Sequence, residues 1–241
     1  MNLPEEILDK ILSHLPSDNG QLLRSCSLVS NPWLDPSRRL LFTHIHIQRH
    51  NYRSWLKEIS PVNTGLLRHA CSLTYTSYGM PNSDCCVYAL CNYLPSFHQL
   101  KTLQFNALNM EPTIPEHLTL FSTFQHTLSS LYLSGVLITW SSFVALLGYF
   151  PHLRDLYISE PSLRVDERPV PQIPHPLRGK LCISLSDKGA KPFTDRFPEL
   201  RQEYEELEML MTFEPRLITA AEGSLKYLRL LQRKRMLLQL V

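Results

Sequence analysis

The chain has 241 residues, 44% of them hydrophobic, with 24 lysines and arginines against 22 acids and a formal net charge of +2. That is enough apolar material for one large domain or two small ones, and it lacks the clustered cationic surplus that a nucleic-acid footprint needs. No apolar run approaches the roughly 18–20 residues that span a bilayer, and Glu5, Glu6 and Asp9 stand where a secretion signal would carry positive charge. The expectation is a soluble protein inside the cell, in cytoplasm, nucleus or both, that engages neither membrane nor nucleic acid. The six cysteines are too sparse for a disulfide scaffold, and Cys85 and Cys86 are adjacent, so reduced thiols are expected.

The first element is LPEEILDKILSHLP, residues 3–16. Pro4 suits a first helical turn, where its missing N–H costs nothing. Glu5 and Glu6 face the positive end of the helix dipole. Ile7, Leu8, Ile11, Leu12 and Leu15 follow helical spacing and form one apolar stripe. Pro16 and the SDNG turn at 17–20 stop the helix. A second helix is read in QLLRSCSLVS (21–30), through Leu22, Leu23, Cys26 and Val29. A third is read in NPWLDPSRRLLF (31–42), where Asn31-Pro32 and Asp35-Pro36 each have the form of a cap followed by a first-turn proline. A terminal helix with so much apolar surface either caps the next domain or offers its face to another molecule.

Leu3-Pro4, Ile7-Leu8, Ile11-Leu12, Leu15, Val29-Ser30 and Trp33 together resemble an F-box over roughly residues 2–42. In that family a Leu-Pro start, an aliphatic helix, a short second helix ending in Val-Ser and a nearby tryptophan occur in this order. Asn31-Pro32 precede Trp33 where the family usually has basic or polar residues. The resemblance implies docking onto the Skp-type adaptor of an SCF-type cullin ubiquitin ligase, through Leu3, Pro4, Ile7, Leu8, Leu12, Val29 and Trp33. Leu8 and Leu12 are expected near the centre of that contact, Leu3-Pro4 at its edge, and Ile11 and Leu15 on the inner side among the helices. The alternative is a helical cap without a partner.

Further along, one apolar-x-x-apolar-x-apolar hexamer recurs. It is seen at Leu100, Leu103, Phe105, at Leu128, Leu131, Leu133 and at Leu153, Leu156, Ile158. From Leu100 to Leu128 is 28 residues and from Leu128 to Leu153 is 25, within the period of leucine-rich repeats. A weaker copy lies at Ala70, Leu73, Tyr75 and a later one at Leu225, Leu228, Leu230; Leu181, Ile183 and Leu185 give only the alternating half. Helical segments are read between them at 83–94, 115–124 and 139–150, the last starting at a threonine cap. A strand and a helix repeated in this way form the unit of an α/β solenoid, here irregular because the usual asparagine is not regularly present. The arrangement resembles F-box proteins with leucine-rich-like repeats.

Five prolines between residues 160 and 178 predict an exposed insertion without helix or sheet, rather than a ligand for a proline-recognition domain. FPELRQEYEELEMLM (197–211) reads as an acidic helix with Leu200, Tyr204, Leu207 and Leu210 or Met211 inward. The closing basic and aliphatic stretch either caps the stack or belongs to a longer protein that has been shortened; Arg233-Lys234-Arg235 reads as solvated tail.

Little in the sequence points to chemistry. His44 and His46 would share one face of a strand, which is possible zinc geometry, but Ile45 and Ile47 explain the alternation as a strand with one buried face. The CCVYALC stretch lacks Cys-x-x-Cys spacing, and no Gly-x-Ser-x-Gly, His-Glu-x-x-His or phosphate loop occurs. The expected protein is thus α/β, with F-box-like helices at 1–42 and a repeat domain at 43–241 carrying the insertion. It is expected to be non-catalytic and without cofactor or metal, joining an adaptor to an unidentified protein substrate. The alternatives are a repeat scaffold unrelated to ubiquitin and a metal-dependent enzyme using the histidines.

Overall fold

The computed structural model describes residues 4–15, 20–48, 50–51, 54–55, 61–77, 96–110, 119–160, 162–164, 180–185, 206–211 and 227–231. The expected helix at 83–94, most of the proline-rich stretch and the basic tail lie outside them. Three α-helices come first: α1 (Glu5–Ser13), α2 (Gly20–Ser27) and α3 (Asn31–Leu41). Pro4 caps α1 from just outside it, its carbonyl accepting from the amides of Ile7 and Leu8. Helix α3 starts after Ser30 with Pro32 in its first turn, as expected, but Asp35-Pro36 does not begin a new helix. Pro36 sits inside α3 and deprives the Pro32 carbonyl of its donor; it is buried together with Ser37, and packing outweighs one lost bond.

Among the described residues ten short strands follow: β1 (His44–Gln48), β2 (Ser72–Thr76), β3 (Thr102–Asn106), β4 (Ser130–Ser134), β5 (Leu137–Thr139), β6 (Asp155–Ser159), β7 (Ser162–Arg164), β8 (Lys180–Leu185), β9 (Glu206–Met211) and β10 (Tyr227–Leu231). Eight make one parallel sheet in the order β1-β2-β3-β4-β6-β8-β9-β10, and β5 and β7 pair in parallel beside it. Of the chain between these strands, only part is described. The described helical segments include the 3-10 turns Pro61–His69 and Thr119–Phe124 and helix α4 (Trp140–Gly148). Thr139 caps α4 by accepting the Ser142 amide at 3.3 Å. The segment at 119–124 winds as a 3-10 turn, not as the α-helix expected there. Its three-residue period puts Phe121 and Phe124 on one side, and both are buried.

The hexamers stack without stagger. Leu73, Leu103, Leu131 and Leu156 pair in register, as do Tyr75, Phe105, Leu133 and Ile158. All eight are buried, with Ala70, Leu100, Leu128 and Leu153 behind them at the turn into each strand. Ile45 and Ile47 extend the same rows into β1, and Phe42 packs against this core, so Phe42-x-x-Ile45-x-Ile47 is a further copy of the hexamer. A second buried row, Leu67, Phe97, Phe124 and Phe150, precedes these strands. Phe121 links it to the strands by edge-on contacts to Phe105 at 6.0 Å and to Phe150 at 6.5 Å.

Two expectations from the sequence are corrected here. Glu206–Met211 is a strand, not part of an acidic helix: Leu207 pairs in register with both Leu181 and Leu228. The same residues that fit a helical period also alternate at period two, and a partner strand on each side decides between them. Likewise Ser162–Arg164, at the head of the proline-rich stretch, is strand β7, and the Ser162 amide donates to Val136. Those three residues contain no proline and keep the amides that pairing needs.

Each of three successive units turns through a left-handed residue one place after its strand: Ala107 (φ 52°), Gly135 (φ 59°) and Glu160 (φ 48°). Ala107 and Gly135 each donate their amide to the last residue of the next strand, Ser134 and Ser159. Around Gly135 the nearest atom to an added Cβ would be 3.7 Å away, so a side chain there meets backbone strain but no clash.

Two predictions follow from this packing. Leu131→Ala, at the centre of the stacked row, should lower unfolding free energy by about 2–5 kcal/mol in a urea titration. Ala107→Gly and Glu160→Gly should each raise it, and Gly135→Ala lower it, by about 1 kcal/mol; equal effects of one sign at all three positions would contradict the shared turn.

Candidate partner-binding site on the N-terminal helices

A helix advances about 100° per residue, so the apolar stripe of α1 is two rows. Leu8 and Leu12 form one, each 1% exposed; Ile7 and Ile11 form the other, 44% and 41% exposed. Helix α3 packs on the first row. An Arg39 Nη2 that donates to both carboxylate oxygens of Asp9, at 3.2 and 3.3 Å, helps to hold α1 in that rotation. This pair is itself exposed and contributes little energy. Leu8, Leu12 and Leu23 are buried apart from the cluster under the sheet, so the helices have a small core of their own.

The expectation that Leu8 and Leu12 lie at the centre of an accessible face, with Ile11 inside, is therefore reversed. The buried row is the one that meets α3, a choice that depends on a neighbour whose position no periodicity reveals. Leu15 is half-buried, Pro4 and Val29 are exposed, and Trp33 is half-buried; Leu3 lies outside the described residues. Leu22 and Leu28, absent from the expected site, are exposed too. Among the side chains the structure describes, the exposed large hydrophobics are Ile7, Ile11, Leu22, Leu28 (85%) and Val29 (67%), all from the helices and the turn between α2 and α3.

Helix α3 also meets the 3-10 turn before β2. There Arg68 Nε donates to His69 Nε2 at 3.2 Å, which requires an unprotonated nitrogen. Partial desolvation and the cations of Arg68 and Arg39 hold the His69 pKa below its ordinary value, with Asp35 opposing. The neutral form is thus favoured in the folded state. The contribution is intact above the unfolded pKa near 6.5 and is lost as the pH falls through the lower folded value. Between about pH 7 and 5 the native chain should lose more of its urea midpoint than a His69→Gln variant does; parallel curves would remove His69 from the balance.

The histidines of β1 alternate as the strand requires: His44 and His46 are exposed, and Nε2 of His46 lies 3.2 Å from Thr76 Oγ1. Among the described residues no group of three His, Cys, Asp or Glu side chains is placed to share a metal ion, Cys26, Cys71 and Cys182 form no disulfide, and no helix is long and apolar enough to cross a membrane.

A family model described as F-box-like matches residues 1–48, which take in α1, α2, α3 and β1. The N-terminal segment is thus F-box-like, and the exposed aliphatics fall within it. No curated protein matches the chain.

Proposed function

We propose that the protein is a non-catalytic recognition subunit of an SCF-type ubiquitin ligase. Its N-terminal helices dock onto a Skp-type adaptor, and the remainder, a leucine-rich-repeat-like solenoid from about residue 43 onward, selects a protein substrate. The observation that carries this reading is the cluster of exposed large hydrophobics in the F-box-like segment, to which they are confined among the side chains the structure describes. Aliphatic side chains left in water on a short helix are the material of helix-in-groove recognition. Ile7 and Ile11 stand one turn apart on the outer side of α1 and form the centre of the proposed contact. Leu22, Leu28 and Val29 extend it, and Pro4 lies beside it. Leu8 and Leu12 act from inside, holding α1 on α3 so that the outer row is presented. The stacked hexamers support the repeat reading through their shared register and burial.

The test replaces Ile7 and Ile11 together by Asp. Two carboxylates forced into an apolar groove cost several kcal/mol, and each 1.4 kcal/mol is about tenfold in affinity. Capture of a purified Skp-type adaptor should become undetectable while the chain keeps its cooperative unfolding. Leu8→Asp with Leu12→Asp should instead unfold the helices. Capture that survives Ile7→Asp and Ile11→Asp at native strength refutes the docking face.

A further inference from the structure

Charge in the repeats is segregated. From residue 61 to residue 154 every described lysine, arginine and histidine lies in the turn that enters a strand, and no described residue is Asp or Glu. Asp84, Glu111, Glu116 and His117 lie outside the described residues. In four successive units a buried Leu67, Phe97, Phe124 or Phe150 is followed by two or three residues that reach water, and then by the buried Ala70, Leu100, Leu128 or Leu153. Each of these short turns carries one imidazole: His69, His98, His126 and His152. Arg68, Lys101 and Arg154 stand beside them, all exposed. Backbone bonds of 2.8–2.9 Å from Lys101 to Cys71, from Ser129 to Lys101 and from Arg154 to Ser129 set the turns side by side. The rings of His126 and His152 are 6.2 Å apart. Acid returns at Asp155, the first residue of β6, which accepts from Ser130 Oγ at 3.0 Å, and in the same row at Glu206, beyond Lys180.

We infer that this rim of the sheet is a binding strip for a carboxylate-rich segment of a partner protein, and that it tightens as the pH falls; the inference rests on the substrate-selecting role proposed above and names the chemistry of that substrate. Among the described residues neither Lys101 nor Arg154 is held in an ion pair, as Arg39 is by Asp9, so an arriving carboxylate displaces only water. Cations set along a line of strands about 4.8 Å apart match a run of single carboxylates. A phosphate concentrates its charge and calls for donors that converge on it. Single-stranded nucleic acid uses rings to stack on, and a lipid surface takes an apolar insert; here Phe97, Phe124 and Phe150 are buried, and no Phe, Tyr or Trp is among the exposed residues of these turns. Histidine is the side chain that gains charge between pH 8 and 5. A carboxylate beside it favours the imidazolium, so binding takes up protons. Gln125 Nε2 donates to His126 Nε2 at 2.8 Å, a bond that the neutral ring accepts and the imidazolium exchanges for an anion. The charged groups sharing these turns are Lys101, Arg154 and Asp155, while Arg68, Arg39 and Asp35 act on His69. Of the four imidazoles His69 contributes least, because desolvation and the cations of Arg68 and Arg39 favour its neutral form.

The experiment follows the fluorescence anisotropy of labelled nine-residue peptides on the purified full chain, at about pH 6 and pH 8. The probes are a peptide of alternating Glu and Gly, its Lys and Ser counterparts, and a peptide with one phosphoserine; a single-stranded RNA and phosphatidylserine vesicles are run beside them. The Glu peptide should bind about tenfold more tightly at the lower pH, and should lose about tenfold between about 0.1 M and 0.5 M salt. Lys101→Glu with Arg154→Glu should abolish its binding at both pH values. His126→Gln with His152→Gln should leave binding at the higher pH unchanged and remove most of the gain at the lower one. All four positions are exposed, so both variants should keep cooperative unfolding; should the charge reversal fail to fold, the histidine pair decides. Four outcomes overturn the inference: no binding of the Glu peptide, binding indifferent to pH, binding that the folded variants leave unchanged, or tighter binding of the phosphoserine peptide, the RNA or the vesicles. Adaptor capture is measured on the same preparations. Its loss alongside intact Glu-peptide binding would sink the ligase reading and leave the strip standing, and the converse would do the opposite.

Discussion

One carbonyl oxygen per unit sets the height of the sheet. Thr43, Cys71, Lys101 and Ser129 each accept two successive amides from the start of the following strand, at 2.8–3.0 Å. Every strand from β2 to β6 in this ladder therefore begins level with its predecessor, whatever the length of chain between them. A slip of one residue would turn Leu131 and Leu133 outward and bring Ser130 and Tyr132 in. The stacked leucines, the left-handed turns after each strand and the second small ladder of β5 and β7 all follow from this common start. No unit closes its own apolar edge; the neighbouring unit does so.

How far this was legible in the sequence depended on how much context each residue needed. The hexamers at Leu100, Leu128 and Leu153 carry three apolar positions at fixed spacing, and such a pattern announces a buried row without knowledge of the neighbours. The copy in β1 escaped because Phe42 reads as the end of the third helix. Strand β9 escaped because its glutamates suit a helix, and only β8 and β10 on either side make it a strand. The aliphatics of α1 were read as one stripe, but which row is buried depends on where α3 lies. Pro36 shows the same limit: a local rule stops a helix there, and burial overrides it.

The two surfaces differ in the forces they can use. The helices expose branched aliphatic carbon, whose binding free energy scales with area and discriminates weakly. The turns entering the strands expose charge, which adds modest energy in water but discriminates by sign.

Between the helices and the sheet only Phe42 and Thr43 intervene. Phe42 packs into the sheet core, and Thr43 hydrogen-bonds backwards to the Arg39 carbonyl through its hydroxyl and forwards to β2 through its own carbonyl. Such a joint has no slack. A body held on α1 would keep a set angle to the sheet, and torque applied to the helices would be delivered to the first strand rather than absorbed in a linker. Reach and orientation between the two would then be built into the fold, and lengthening the joint by a few flexible residues would change geometry without touching either surface.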